Sequence, residues 1–518
     1  VKALLRLAIL LALWECLGDF HLIAQGALPS PSAIIVQWWQ DRAVYPPHIL
    51  ATLRPALLGF LIGNLIAAAA AFAFVLLPAF ESLMRGFNIA VFGIPPIALS
   101  PVLVITLPGE WPQIVLASVG VYFPTMVMTL LGLRDIDPRP IDVVRSYGGG
   151  GFAVLRWLRL RASIPGLLSG LRVAAPAAIL GAILAEFGSG ARWGLGSFLL
   201  GSLGRGNPAR IWGIGLTATL MAAIAYGLCA LLARRFTDSM APVTLAGGRA
   251  EAARAGTAAL RARQLLLALG AFSVPFLLWW VILAACGVSP VIAKTPLAVW
   301  QYLFSAPDAA ETRAAIGQAL KESLPLAGIG LTLALGVALT LAVMGMIWRT
   351  LTAMLMPAAL ILQTMPLVAL TPMIVLLFGR GVAATLVITV IVTFFPAFIT
   401  IAQGLGQVPK VSLDLLDVYG ASRAQKLRMV SLPMSLPYLC AAARLVAPAS
   451  LLGVMIAEWL ATGYGLGNLL NTARGELDYG MIWTVAFVAV AVSVGFYQLV
   501  KLLEEQVLRR YAASSSAA

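Results

Sequence analysis

The chain has 518 residues, 61% of them hydrophobic and 11% charged, with a formal net charge of +14. A soluble domain is about half apolar and about a quarter charged, so a water-soluble globular fold is excluded, and so is disorder, whose composition is the opposite. The apolar stretches are also too unbroken for an outer-membrane barrel, whose strands alternate.

A bilayer-spanning helix needs about 20 apolar residues, and apolar windows place a first set of spans near 4–20, 49–77, 86–107, 112–131, 167–187 and 211–232. A second set falls near 264–287, 324–347, 355–378, 382–401, 440–460 and 483–502. The first run, after Lys2 and Arg6, has the look of a signal peptide. No small-residue cleavage site follows it, so it is read as a retained first span. The two histidines, His21 and His48, are expected in one polar loop that offers no metal site. Cys16, Cys229, Cys286 and Cys440 fall in apolar stretches without a CxxC, the pattern of packing thiols.

With the N-terminus in the cytoplasm, most of the 35 basic residues fall in segments on that side. The densest are 132–166 and 233–263, with six Arg each, and Arg509 and Arg510 close the chain. This is the charge bias that orients membrane proteins, and it places both termini inside. Short basic segments between apolar spans are not a nucleic-acid stripe, so the positive charge calls for no nucleic acid. Segment 236–263, rich in Ala, Gly and Arg, reads as a cytoplasmic linker between a first half over 1–235 and a second over 264–518.

The chain repeats itself. A shift of 272 residues aligns Asp142–Glu186 with Asp414–Glu458 without a gap. The identities include Tyr147/Tyr419, Gly148/Gly420, Arg156/Arg428, Pro165/Pro437, Arg172/Arg444 and Pro176/Pro448. Six spans per half is an even number, so both halves enter the membrane in the same sense. They are expected to be related by a pseudo-two-fold axis along the membrane normal, with a path at their interface. The repeated polar segment, between the fourth and fifth spans of each half, is long enough to be functional rather than a connector.

On these residues the chain resembles the permease subunits of ATP-binding-cassette (ABC) importers. Their cytoplasmic motif runs E-A-A, three residues, Gly, nine residues, I-x-L-P. The second copy here reads Asp414-Leu415-Leu416, then Gly420, then Val430-x-Leu432-Pro433, and the first reads Asp142-Val143-Val144, then Gly148, then Leu158-x-Leu160-Arg161. The strings LPSPSAIIV (28–36), AEF (185–187), AEW (457–459) and the two GLG triplets (194–196, 465–467) look like the nitrate/sulfonate/taurine branch. The resemblance implies an all-α membrane protein of about twelve spans, built as two tandem six-helix halves of the type I importer kind in a bacterial inner membrane. It implies EAA-like segments over 142–161 and 414–433, docking on two cytoplasmic ATP-binding-cassette subunits. Asp142, Tyr147, Gly148, Arg156, Asp414, Tyr419, Gly420, Arg428 and Pro433 are the candidate ATPase-coupling residues. It implies an extracytoplasmic solute-binding protein as a further partner, and ATP and Mg held by the ATPase rather than by this chain.

The residues themselves agree with that division of labour. No G-x-x-x-x-G-K-[ST] phosphate loop occurs. No Ser/His/Asp set or metal-ligand cluster is evident, so the chain is not read as an enzyme. A secondary transporter would also fit twelve spans and a parallel repeat, but carboxylates within spans are scarce. Iron or a vitamin precursor is the alternative cargo to a small anion. Glu186 and Glu458, 14 residues beyond Arg172 and Arg444, would sit about 21 Å further along a helix. They fit a carboxylate facing the path or an outer gate, and they equally fit a helix-end hydrogen bond near the outer surface. The first segment, with Arg161 in place of Pro and four glycines at 148–151, is expected to be the less rigid of the two.

Overall fold

The computed structural model describes residues 2–20, 27–134, 136, 138–203, 205–236, 258–348, 367–408 and 410–515. Most of the expected linker (237–257) and the first part of the span expected over 355–378 lie outside them. In the first half the helices are α1 (Lys2–Asp19), α2 (Pro31–Gln40), α3 (Tyr45–Leu76), α4 (Pro78–Gly93), α5 (Pro96–Thr106), α6 (Trp111–Arg134), α7 (Pro138–Ser146), α8 (Gly151–Ser189), α9 (Leu195–Leu203) and α10 (Pro208–Phe236). In the second they are α11 (Ala258–Cys286), α12 (Pro296–Phe304), α13 (Ala309–Ile347), α14 (Leu367–Phe378), α15 (Val382–Gly406), α16 (Lys410–Val418), α17 (Ala424–Leu460), α18 (Gly465–Gly475) and α19 (Tyr479–Ser515). Closed helices are what lipid demands, because no backbone polar group can be left unpaired there.

Nine helices among the described residues are long and apolar enough to cross a membrane, and ten if α4 and α5 count as one bent span. Of the remaining expected spans, the first is the 18-residue α1, which carries Lys2, Arg6, Glu15 and Asp19, and the other is described only as α14. The span expected over 86–107 is not straight: α4 and α5 meet at 98°. Pro95 and Pro96 stand side by side at the break, and Ile94 before them is extended (φ −64°, ψ 117°). Two residues without N–H, and the steric bar on helix before proline, account for the corner.

Each half is built on the same three-helix contact. α6 packs between α3 and α8, and α15 packs between α13 and α17. The approach is close enough to need glycine. A Cβ on Gly181 would lie 2.8 Å from Ala117 Cα, and one on Gly453 would lie 2.8 Å from Thr389 Cα. Those two contacts are related by the 272-residue shift, and small residues at such crossings are how membrane helices pack without a hydrophobic drive.

The halves interlock rather than abut. α11 packs on α4, α19 on both α4 and α5, and α14 on α10. One buried cluster crosses the seam, joining Ile183, Leu184 and Phe187 of the first half to Val454, Met455 and Trp459 of the second.

Candidate functional site

The repeated segments take the same shape twice. α7 and α16 each end in a residue pair whose backbone N–H groups turn back on the helix. Gly148 N donates to Arg145 O at 2.9 Å and Gly149 N to Val144 O at 2.9 Å. Gly420 N donates to Asp417 O at 3.0 Å and Ala421 N to Leu416 O at 2.9 Å. This pair of bonds is a Schellman stop, which requires a left-handed residue. Gly148 and Gly420 supply it at φ +79° and +69°.

After the turn the chain re-enters a helix that does not stop before the membrane. The sequence placed the fifth spans at 167–187 and 440–460, but α8 begins at Gly151 and α17 at Ala424. The second part of each repeated segment is therefore the near end of the span itself. Each helix has a π-type turn at its start, over Leu155–Arg159 and Leu427–Ser431, again 272 residues apart. Many side chains of the repeated corner are exposed. Tyr147 is 89% exposed and Tyr419 80%. The equivalent pairs Val143/Leu415 and Trp157/Met429 are exposed too. Asp142, Arg156, Asp414 and Arg428 are exposed beside them, and Pro433, in the first turn of the helical run Leu432–Ala457, is half-buried.

The segments differ in one respect. In the second, Gln425 N donates to Ser422 Oγ and Ser422 N to Gln425 Oε1. This reciprocal cap satisfies two helix-end donors. In the first, the equivalent positions are Gly150 and Ala153, and Gly150 has no side chain with which to cap.

At the far ends of α8 and α17 the glutamates are buried, Glu186 to 1% and Glu458 to 0% exposure. Thr52 Oγ1 donates to Glu186 Oε1 at 2.6 Å, and Gly196 N donates to Glu186 Oε2 at 2.6 Å. Thr52 Oγ1 in turn accepts from Leu195 N at 2.9 Å. The second half matches it: Ser323 Oγ donates to Glu458 Oε1 at 2.7 Å, Gly467 N donates to Oε2 at 2.9 Å, and Ser323 Oγ accepts from Leu466 N at 2.9 Å. Each carboxyl thus sits at the N-terminus of a short helix, α9 or α18, where free N–H groups gather. Gly194 (φ +140°) and Gly465 (φ +86°) make room, since a Cβ on Gly194 would reach within 2.5 Å of Glu186 Cδ and one on Gly465 would strike the Glu458 carboxyl.

His48 is not in a polar loop. It lies in α3, 6% exposed, with Nδ1 2.8 Å from the Gly194 carbonyl and its ring stacked on Phe198 at 4.5 Å. The apolar window began at residue 49, whereas the helix begins at Tyr45 with two prolines in its first turn. Composition alone did not mark His48, Thr52 or Ser323 as partners.

Two arginines of the repeat are tied to the last helix of their own half. Arg172 donates to the Tyr226 hydroxyl and lies over that ring, while Arg444 Nη1 lies 3.1 Å from Glu504 Oε2. A third arginine joins the halves. Arg474, at the end of α18, donates to the Phe187 carbonyl at 3.4 Å and lies 6.0 Å from the Trp459 ring centre. Phe187 and Trp459 are equivalent under the repeat shift, so this guanidinium stands at the seam beside the pseudo-two-fold axis. The first half has Leu203 at the equivalent position. No described carboxylate forms an ion pair with Arg474.

Duplicated helical halves meeting along an apolar seam, each carrying an exposed turn at one end and a buried glutamate at the other, define a tandem membrane permease. The family model for the binding-protein-dependent transport system inner membrane component matches residues 59–243 and again 333–512, and the chain belongs to that family. It is similar to a probable ABC transporter permease protein of Haemophilus influenzae, 28% identical over 43% of this chain and 88% of that one. It is also similar to a riboflavin transport system permease protein of Chloroflexus aurantiacus, 31% identical over 31% of this chain and 60% of the other. A taurine transport system permease protein of Escherichia coli is 26% identical over 45% of this chain and 85% of its own length. These relatives are transport permeases rather than enzymes, and the chain is a multi-pass membrane protein of the same ABC importer class.

Proposed function

We propose that this chain alone supplies the whole membrane path of an ATP-driven importer, both halves being on one polypeptide. A small solute is handed over by an extracytoplasmic binding protein and passes along the seam between the halves into the cytoplasm. Two ATP-binding-cassette subunits, which hold the ATP and Mg, seat on the exposed turns at 142–161 and 414–433. The observation that carries this reading is the duplicated turn: a left-handed glycine holds an exposed tyrosine at the tip of a rigid helical corner. Because α8 and α17 run from those corners to Glu186 and Glu458, movement of an ATPase against the corner is carried along one continuous helical element. The glutamates then act at the far end, fixing α9 and α18, which border the outer mouth. The orientation that goes with this has both termini in the cytoplasm of a bacterial inner membrane, as the arginine bias favours.

The solute is a small anion of the sulfonate kind. Arg474 supports this, as a guanidinium beside the axis with no acidic partner among the described residues is available to meet an anion. Relatives named for riboflavin and taurine frame the range of cargo. The test is reconstitution in liposomes with partner ATPase subunits and a solute-binding protein. Solute should enter only with ATP inside the cytoplasmic compartment, and loaded binding protein should raise ATP hydrolysis. Uptake driven by an ion gradient without ATP would overturn the reading in favour of a secondary transporter.

A further inference from the structure

A cavity of about 160 Å³ opens between the halves, away from both the exposed turns and the glutamates. Phe92 and Phe123 of the first half form one wall, and Thr400, Arg444, Leu445 and Tyr497 of the second form the other. The aromatic rings form one packed group that borders the gap. Phe92 and Phe123 have ring centres 4.4 Å apart, and Tyr497 stands edge-on to Phe92 at 5.7 Å and 76°. All three rings are only partly buried, so part of their surface is turned to the gap. At one end the wall becomes polar. Thr400 Oγ1 donates to Pro396 O and keeps its acceptor capacity. Arg444 is oriented by Glu504 through Nη1, and a guanidinium carries four further N–H donors.

The repeat duplicates part of this: Phe395, Arg172 and Tyr226 correspond to Phe123, Arg444 and Tyr497, and the counterpart of Phe92 lies outside the described residues. Under the repeat shift Thr400 corresponds to Met128 and Leu445 to Val173, and Arg172 is spent on Tyr226. What differs is the polar end, where the second half has Thr400 and the Arg444–Glu504 pair.

We propose that this cavity is a solute-binding site on the path, and that it takes a small planar aromatic or heteroaromatic ring bearing a hydrogen-bond-accepting or anionic group. The ring lies among Phe92, Phe123 and Tyr497, where flat π surfaces meet offset or edge-on. The acceptor faces Arg444 and Thr400, the arrangement of an apolar pocket with a few convergent polar groups that fix orientation. This rests on the importer reading and names its cargo more narrowly: an anion with a ring, not an acyclic one.

The test holds the anionic group constant and varies the ring. The full chain, assembled with its ATPase subunits in lipid nanodiscs, is dialysed against radiolabelled benzenesulfonate and against ethanesulfonate. Benzenesulfonate should bind once per chain and at least tenfold more tightly than ethanesulfonate. Leu445→Trp, which fills the cavity, should abolish that binding. Phe123→Leu, a milder change that keeps the apolar volume, should weaken it at least fivefold. Both variants must retain the ATPase subunits, and Phe92→Leu stands in for either one that does not. Equal binding of the two sulfonates, binding of neither, or binding unchanged in the variants would overturn the site. ATP-driven uptake in the reconstituted system is read separately, so the cavity can fail while the importer reading stands.

Discussion

Ser422 and Gln425 cap each other at the start of α17, with Gln425 N 3.3 Å from Ser422 Oγ and Ser422 N 2.7 Å from Gln425 Oε1. The first half has Gly150 and Ala153 in those places. An N-cap side chain contributes about 1 kcal/mol, so the two corners differ in stability by about that much. Transplanting the cap as Gly150→Ser with Ala153→Gln should therefore raise hydrogen-exchange protection over 151–156 about fivefold. Space at Gly150 is open to a Cβ. Unchanged exchange would mean that the first corner is already held by something other than its own cap.

Gly420 sits at φ +69°. A left-handed backbone costs an ordinary L-residue about 1–2 kcal/mol, while asparagine visits it readily. Gly420→Val is expected to cut ATP-driven uptake at least tenfold, with the chain still inserted in the membrane, and Gly420→Asn is expected to keep most of it. Uptake rates of the two variants side by side decide this. Equal behaviour would show that the turn geometry is not what couples the ATPase.

Thr52 and Ser323 each serve a carboxylate and a backbone N–H together. Thr52→Val leaves Leu195 N without an acceptor and should cost about 1–3 kcal/mol. Its effect should not add to that of Glu186→Gln, because residues of one network couple by about 0.5–3 kcal/mol. A double-mutant cycle read by thermal unfolding in detergent measures the coupling, and strict additivity would dissolve the network. Gly194→Ala should be the most damaging change in the group, since it combines a positive φ with a clash against Glu186.

Asp41 is tied to Arg210 by two bonds, at 2.7 and 2.6 Å, and to Gln37 Nε2 at 2.8 Å. Burial alone would push its carboxyl up, but the bonds from Arg210 and Gln37 outweigh it and hold the carboxyl below the usual carboxylate value. The stabilisation is therefore complete above that usual value and disappears as pH falls through the depressed one. Thermal stability of the wild type should exceed that of Asp41→Asn at neutral pH by about 2 kcal/mol, and the gap should close only in strong acid. A gap independent of pH would show that the aspartate contributes by shape and not by charge.

The duplication was legible because polar identities such as Tyr147/Tyr419 and Glu186/Glu458 recur at one shift, which shared apolarity does not produce. The glycine turns were legible for the same reason. The start of α8 was not: Arg156, Arg159 and Arg161 lower the hydropathy of a stretch that is nonetheless continuous helix, so the apolar window opened only at residue 167. The corner between α4 and α5 was written in Pro95 and Pro96, yet an apolar window averages across a proline pair. The partners of the glutamates escaped because Thr52, Ser323 and His48 are far from them in sequence and ordinary in composition. Arg474 escaped because it belongs to one half only, and a search for repeats passes over what is not repeated.

The central claim is that one chain presents two docking corners to two ATPase subunits. Native mass spectrometry of the complex purified by a tag on this chain tests it most directly. The account predicts one chain with two ATPase subunits. It predicts one chain with a single ATPase subunit when Tyr147 and Gly148, or Tyr419 and Gly420, are replaced by Asp and Val, and the chain alone when both corners are replaced. Two ATPase subunits retained on the chain with both corners replaced would contradict it.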